Sequence, residues 1–291
     1  MTPLRALLSL LPAATLAACA GTAGDGKSGD GTFASSATGR LPAYAHNDYE
    51  NRRPLRDALE LGYRGVEADV YLVDGELLVA HDRDQVRPGR TLASLYLDPL
   101  RALVARDGAV LGDGSTFLLN VEAKERGRAT YDAVRAELAR YADILTVVRD
   151  GVEEPGPVQV VLVGWFPPLA ELAAETVRYA AVQAHHRDLP ADHALLPADL
   201  LKLVTVKYPD EFAWKGHGEP PAAFQRRLAG IRAAAHAVPG RLLRVFHVPR
   251  RDEAYRALLA GGADLIGTRT LVRSGEVLRR IERPDPGQEA R

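Results

Sequence analysis

Short apolar runs and amphipathic runs alternate from Leu41 almost to the end of the chain, and few architectures can absorb that pattern. The apolar runs predict eight strands: LPAYAH (41–46), RGVEADVYLV (64–73), TFLLNVEAK (116–124), VQVVLVG (158–164), YAAVQA (179–184), LLKLVTVKY (200–208), RLLRVFHV (241–248) and ADLIGT (263–268). Helical spacing of apolar residues marks RPLRDALELG (53–62), TLASLYLDPLRALVAR (91–106), ATYDAVRAELARYADILTVV (129–148), PPAAFQRRLAGIRAAAHAV (220–238) and RDEAYRALLAGG (251–262). Strands that alternate with helices pair in parallel through helical crossovers. Eight such units in about 250 residues predict an α/β fold, a closed (β/α)8 TIM-like barrel, with an open doubly wound sheet as the alternative.

One interruption breaks the alternation. Asp74-Gly75 joins two apolar runs in VYLVDGELLV, the signature of a two-residue hairpin, so the second strand folds back on itself. Regular pairing across that turn sets Val70 opposite Val79. Carried further, it would turn His81 away from the barrel interior, so the pairing is expected to end or bulge before His81.

The polar residues are out of place in a way that suggests chemistry. Residues two apart on a strand share a face, so Glu67, Asp69 and Tyr71 point one way and Val66, Ala68, Val70 and Leu72 the other. Two inward carboxylates repel each other and lose hydration unless a cation compensates them. The third strand repeats the pattern with Asn120, Glu122 and Lys124. Glu67, Asp69 and Glu122 would hold one divalent cation, Mg²⁺ or Ca²⁺, and Lys124 would face an anion held there. Without a cation the three carboxylates would raise one another's pKa. His46 ends the first strand and His81 arrives on the hairpin, so both can transfer protons near neutral pH. All sit at carboxyl ends of predicted strands, where barrel chemistry gathers. Trp214, His185, His186 and His247 are given no role.

Composition limits the alternatives. A formal net charge of -1 over 291 residues gives no electrostatic reason to expect nucleic acid, and the single cysteine excludes an intramolecular disulfide framework. That cysteine, Cys19, closes LAAC after a short apolar run that begins beyond Arg5, a pattern that resembles a bacterial lipoprotein signal. The reading expects a signal peptide over 1–18, a lipidated Cys19 on a flexible tether over 19–40, a barrel over 41–283 and a disordered tail over 284–291. It therefore expects an extracytoplasmic protein, lipid-anchored to a bacterial membrane.

HND at 46–48, GYRGVEADVYLVDGELLVAHD at 62–82 and LNVEAK at 119–124 together resemble the glycerophosphodiester phosphodiesterase and phosphatidylinositol phospholipase C-like superfamily. HNDYENRRPL, YLVDGELLVAHD and FAWKG are similar to its branch named for altered inheritance of mitochondria. The resemblance implies metal-dependent cleavage of a phosphodiester, with His46 and His81 as acid and base and Glu67, Asp69 and Glu122 as metal ligands. Lys124 matches a phosphate-contacting position. Asn47 stands where better-known members carry Arg and is taken as a further substrate contact. Phe246 replaces a usual Trp, and Arg269 replaces the Asp of a usual Thr-Asp. The expected substrate is a glycerophosphodiester or a phospholipid headgroup, including phospholipase D-like cleavage. The alternative from another class is a lipoprotein that binds a phosphorylated ligand without turnover.

Overall fold

The computed structural model describes residues 40–189 and 196–282. The expected signal peptide, the tether with Cys19 and the C-terminal tail lie outside them.

Eight strands run parallel and close on themselves: β1 (Leu41–Ala45), β2 (Tyr63–Val73), β4 (Phe117–Ala123), β7 (Val158–Gly164), β9 (Ala181–His185), β10 (Leu201–Lys207), β11 (Leu242–Phe246) and β12 (Leu265–Thr268). The closing pairs are Ala43 with Ile266 on one side of β1 and Tyr44 with Gly65 on the other. This is the expected barrel, and the open-sheet alternative falls. The strands form where the sequence offers unbroken Val, Leu, Ile and Ala, because a parallel strand is covered on both faces.

The hairpin is also as expected. Strand β3 (Glu76–Val79) pairs antiparallel with the end of β2 through Asp74 and Gly75, both with positive φ, and Val70 lies opposite Val79. That is the last rung of the ladder, so His81 leaves the sheet before strict register could turn it away.

One segment differs from its prediction. The helix expected over 129–148 stops at Ala139, and Val147–Arg149 becomes β5 of a small antiparallel sheet with β6 (Val152–Glu154) and β8 (Val177–Arg178). β-Branched residues Ile144, Thr146, Val147 and Val148 favour extended backbone over helix. Asp150-Gly151 then turns the chain with positive φ at both residues, as Asp74-Gly75 does.

Inside the barrel, side chains stack in layers. The lowest contains Tyr44, Leu118, Val161, Leu203 and Leu265, with Leu242 packed against it. Gly65 makes room there, since a Cβ would come within 2.8 Å of Leu118. Above it the layer turns polar. Asn120 donates to Gln183 at 3.2 Å, and Arg244 reaches Thr205 at 3.3 Å and Glu67 at 3.0 Å. The candidate site rests on this polar layer.

Candidate functional site

β2 and β4 lie side by side in a register that sets Glu67 beside Asn120 and Asp69 beside Glu122. Glu67, Asp69 and Glu122 offer carboxylate oxygens that all lie within 4.8 Å of one another. Glu67 and Asp69 are buried. Three carboxylates this close need positive charge, and the chain supplies two cations. Lys124 sets its Nζ 3.1 Å from Asp69 Oδ2 and 3.3 Å from Glu122 Oε1. Arg244, from β11 across the barrel, donates Nη1 to Glu67 Oε2 at 3.0 Å. With all groups ionised, one negative charge remains uncompensated, and the buried Asp69 Oδ1 has no hydrogen-bond partner.

The titration behaviour follows these contacts. Burial alone would raise the Glu67 pKa, but Arg244 and His46 outweigh it and hold the carboxyl below its usual range. Glu122 moves up, first through burial and then through the Asp69 charge. Burial works against the Lys124 charge, yet Asp69 and Glu122 lift its pKa above the ordinary lysine value. The expectation that the carboxylates raise one another holds at Glu122 and is corrected at Glu67. A guanidinium contributed by the far wall reverses the direction for Glu67.

Each histidine faces a different carboxylate, but only His81 is within hydrogen-bond range of its own, and the buried His46 Nδ1 has no hydrogen-bond partner among the described residues. His46 Nδ1 lies 3.9 Å from Glu67 Oε2 with its side chain 18% exposed, whereas His81 Nδ1 lies 3.2 Å from Asp69 Oδ2 with its side chain 42% exposed. His46 is the inner of the two, stacked on Phe246 with ring centroids 5.8 Å apart. Burial lowers its pKa, and Arg244, His247 and Arg269 lower it further against the pull of Glu67. The Tyr49 hydroxyl donates to Asp69 Oδ2 at 2.6 Å and also lies 3.2 Å from His81 Nδ1. Tyr49 thus links the carboxylate to the histidine.

Asn47 is buried in the left-handed region at φ 51°, which asparagine tolerates better than most residues. Its amide donates to Glu50 at 3.1 Å and lies 3.3 Å from His81 Nδ1. Arg269 closes the other side of Glu50 with a short ion pair. His247, at the end of β11 with φ 56°, stands 5.9 Å from His46, centroid to centroid. The His185 and His186 rings lie tilted against each other, 4.8 Å apart, and His186 pairs with Glu211 at 2.8 Å. Trp214 packs edge-on against Phe224.

Sequence reasoning missed Arg244 and Tyr49. Arg244 had a signal: a charge in the middle of the apolar run RLLRVFHV is the same anomaly that exposed Glu67. Tyr49 had none, because DYEN reads as an ordinary loop.

The donor set suits a small hard cation. Three carboxylates within reach of one ion, one carboxylate oxygen left unpaired and a residual negative charge are what Mg²⁺ or Ca²⁺ sites require.

Comparison with known proteins places the sequence in a family. The model of a family described as the AIM6-like phosphodiesterase domain matches residues 34–181, just over half of the chain. That span includes His46, Glu67, Asp69, His81, Glu122 and Lys124. The altered inheritance of mitochondria protein 6 homolog of Arthroderma benhamiae is 29% identical over 150 residues, 44% of this chain and 48% of that protein. Altered inheritance of mitochondria protein 6 of Eremothecium gossypii is 41% identical over 63 residues, 21% of this chain and 16% of its own length. The chain thus spans at most about half the length of these two relatives. The crystal structure of a glycerophosphodiester phosphodiesterase from Agrobacterium tumefaciens aligns with TM-score 0.43 and 18% identity, covering 81% of this chain and 97% of that one.

These curated relatives are fungal proteins, not bacterial lipoproteins, which overturns the expected lipid anchor on a bacterial membrane. The signal behind that expectation was short: an apolar run, small residues and one cysteine form a pattern that a leader of any destination can contain. The site and the barrel stand without it, and by the match over residues 34–181 the chain belongs to the AIM6-like phosphodiesterase domain family.

Proposed function

We propose that the chain is a phosphodiesterase that hydrolyses a glycerophosphodiester or a phospholipid-headgroup phosphodiester at the mouth of its barrel. The observation that carries this reading is the joint geometry at one end of the barrel. Two histidines lie beside different members of a three-carboxylate cluster, His81 hydrogen-bonded to Asp69 and His46 3.9 Å from Glu67, and that cluster retains an unpaired oxygen and a net negative charge. A protein that only bound a phosphorylated ligand would need the cluster and the lysine but not two oriented proton-transfer groups.

Glu67, Asp69 and Glu122 would hold one divalent cation, Mg²⁺ or Ca²⁺. Bound there, it would polarise a phosphoryl oxygen and offset the charge that develops on it. The chain's own residues do the rest. Lys124 presents its ammonium group beside Asp69 and Glu122, within reach of an anionic phosphodiester at the cluster. Asp69 and Tyr49 fix the His81 ring at Nδ1, leaving Nε2 to exchange a proton. Glu67 lies beside His46 Nδ1 and favours its protonated form against the burial that opposes it. As one histidine removes a proton from the attacking water, whose oxygen bonds to phosphorus, the other delivers one to the alcohol oxygen that departs from it. Asn47 completes the positioning through His81 and Glu50.

The test is hydrolysis of a panel of phosphodiesters by the full chain, in EDTA and after Mg²⁺ or Ca²⁺ is restored. Metal-dependent turnover is expected, and His46→Ala or His81→Ala should lower it by about 10²-fold or more while metal binding persists. Glu122→Gln should lower metal affinity and turnover together. Full activity in exhaustive EDTA would sink the reading.

A further inference from the structure

We infer that the cavity behind His46 takes the alcohol part of the substrate, and that it selects an alcohol carrying a second anionic group. This rests on the phosphodiesterase reading and adds a substrate class to it.

The cavity measures about 270 Å³ and is lined by His46, His247, Arg250, Tyr255, Thr268 and Arg269, among others. That volume lies near the lower end of small-molecule sites, enough for a short polyol and one charged group. Its position follows from the shared residue. His46 faces Glu67 of the carboxylate cluster at 3.9 Å and also forms a wall of the cavity. A phosphodiester centred at the cluster therefore passes His46 before its alcohol enters the cavity.

The lining defines the chemistry. Its back is a network of hydroxyls: Thr268 Oγ1 lies 2.8 Å from Ser274 Oγ, which lies 3.0 Å from the Tyr255 hydroxyl. These groups can both donate and accept, as recognition of a polyol requires. The mouth is cationic. Arg269 shares its charge with Glu50, so it is already compensated. Arg250 is exposed, and its guanidinium has no ion pair or hydrogen bond among the described residues. Arg273 holds the Arg250 carbonyl at 3.2 Å and so fixes the backbone from which this side chain extends. His247 adds a ring at the same rim. Among the described residues no carboxylate lines the cavity itself. A phosphate monoester or a carboxylate on the alcohol would meet a free guanidinium, which binds such groups in a two-pronged geometry. A quaternary ammonium headgroup would meet the Arg250 guanidinium with no carboxylate in the lining to offset it, and be disfavoured.

Two measurements test this on the full chain. The first is calorimetry in EDTA, so that a cation at the carboxylates contributes nothing, with glycerol 3-phosphate, glycerate and glycerol as probes. Both anions should bind at least about tenfold more tightly than glycerol, and their ratio distinguishes phosphate from carboxylate. Arg250→Ala should abolish that difference and Arg250→Lys should keep part of it. Arg106→Ala, on the helix Asp98–Asp107 and outside the cavity lining, should leave it unchanged. The second measurement compares hydrolysis of glycerophosphoglycerol, its terminally phosphorylated form and glycerophosphocholine. The phosphorylated diester should be preferred by about tenfold in kcat/KM, and Arg250→Ala should remove the preference. Equal binding of all three probes by the native protein overturns the proposal, whether or not any diester is cleaved. Cleavage without preference also overturns it and leaves the phosphodiesterase reading intact. Anion binding that depends on Arg250, without cleavage of any diester, supports the cavity and refutes that reading.

Discussion

Glu67 and Asp48 are two carboxylates buried to nearly the same degree, and their environments drive them in opposite directions. Glu67 sits in the polar layer of the barrel with Arg244 at 3.0 Å, and its pKa falls below the ordinary range. Asp48 sits in the loop after β1 and, among the described residues, accepts only neutral donors: the Leu55 amide at 2.5 Å, the Tyr96 hydroxyl at 3.1 Å and the Asn51 amide at 3.4 Å. Burial prevails there, and its pKa rises to about 6 despite those three hydrogen bonds. The difference is one cation. Neutral donors soften the loss of water around a carboxylate, but a guanidinium reverses it. In this chain the charge-compensated carboxylate belongs to the candidate site and the uncompensated one to the loop that carries His46 and Tyr49.

The sharpest way to break the comparison is to turn Glu67 into a second Asp48. Arg244→Met removes the guanidinium and keeps a long apolar side chain above Tyr44, whose ring lies 4.4 Å from the arginine carbon. Stripping one partner from a buried pair costs about 3–5 kcal/mol, because the remaining charge stays uncompensated. The expected loss at neutral pH is of that size, read by urea unfolding in EDTA. Glu67 should then take up a proton as the pH falls, so the gap between native and variant protein should narrow in acid. Adding Glu67→Gln to Arg244→Met should recover part of the loss. A loss under about 1 kcal/mol would mean that the pair is solvated in practice.

The second prediction concerns Asp48, where the sign needs care. Its folded pKa of about 6 lies above its ordinary 3.8. Between those values the folded chain keeps a proton that the unfolded chain has released, so stability falls as pH rises through that window and levels off above it. About two units correspond to a total swing of roughly 3 kcal/mol. Unfolding curves at several pH values within that window should show this slope, and Asp48→Asn should flatten it. A stability that rises over the same interval would show that Asp48 is ionised at little cost.

Much of the barrel was legible because each parallel strand needs an apolar run, and the chain writes them plainly. VQVVLVG matches β7 residue for residue. The Asp74-Gly75 turn gave the hairpin and its register for the same reason: a two-residue turn has few solutions. The second such turn, Asp150-Gly151, was missed although its signal was equal. Ile144–Val148 follows soon after an amphipathic helix that ends at Ala139, and its apolar spacing continues the helical period past the point where the backbone leaves it. Within the site, Glu67, Asp69, Glu122 and Lys124 were found as anomalies inside two neighbouring strands. Their partner Arg244 lies 177 residues from Glu67. Only barrel closure brings the two together, and closure is a property of the whole sheet that no local spacing encodes. Tyr49 and Glu50 were hidden for a different reason, since a loop residue carries no periodicity against which to look unusual.

The smallest effect sharpens the comparison from the neutral side. Tyr96 is buried, and its hydroxyl donates to Asp48 Oδ2 at 3.1 Å. Tyr96→Phe keeps the ring and removes one of the donors that restrain the rise in the Asp48 pKa. A hydrogen bond to a charged acceptor is worth about 1.5–3 kcal/mol and one to a neutral acceptor about 0.5–1.5. The substitution should therefore cost about 2 kcal/mol above the Asp48 pKa, where the carboxylate is charged, and about 1 kcal/mol well below it. Losing the donor also moves the folded pKa of Asp48 further up, so the falling limb of the stability curve should extend to higher pH. The same change near Glu67 would matter less, because Arg244 and not a hydroxyl sets its charge state. Unfolding of Tyr96→Phe on both sides of the Asp48 pKa gives the two costs directly. Equal costs at both ends would mean that Asp48 stays protonated throughout, and the contrast with Glu67 would then be one of protonation state and not of hydrogen bonding.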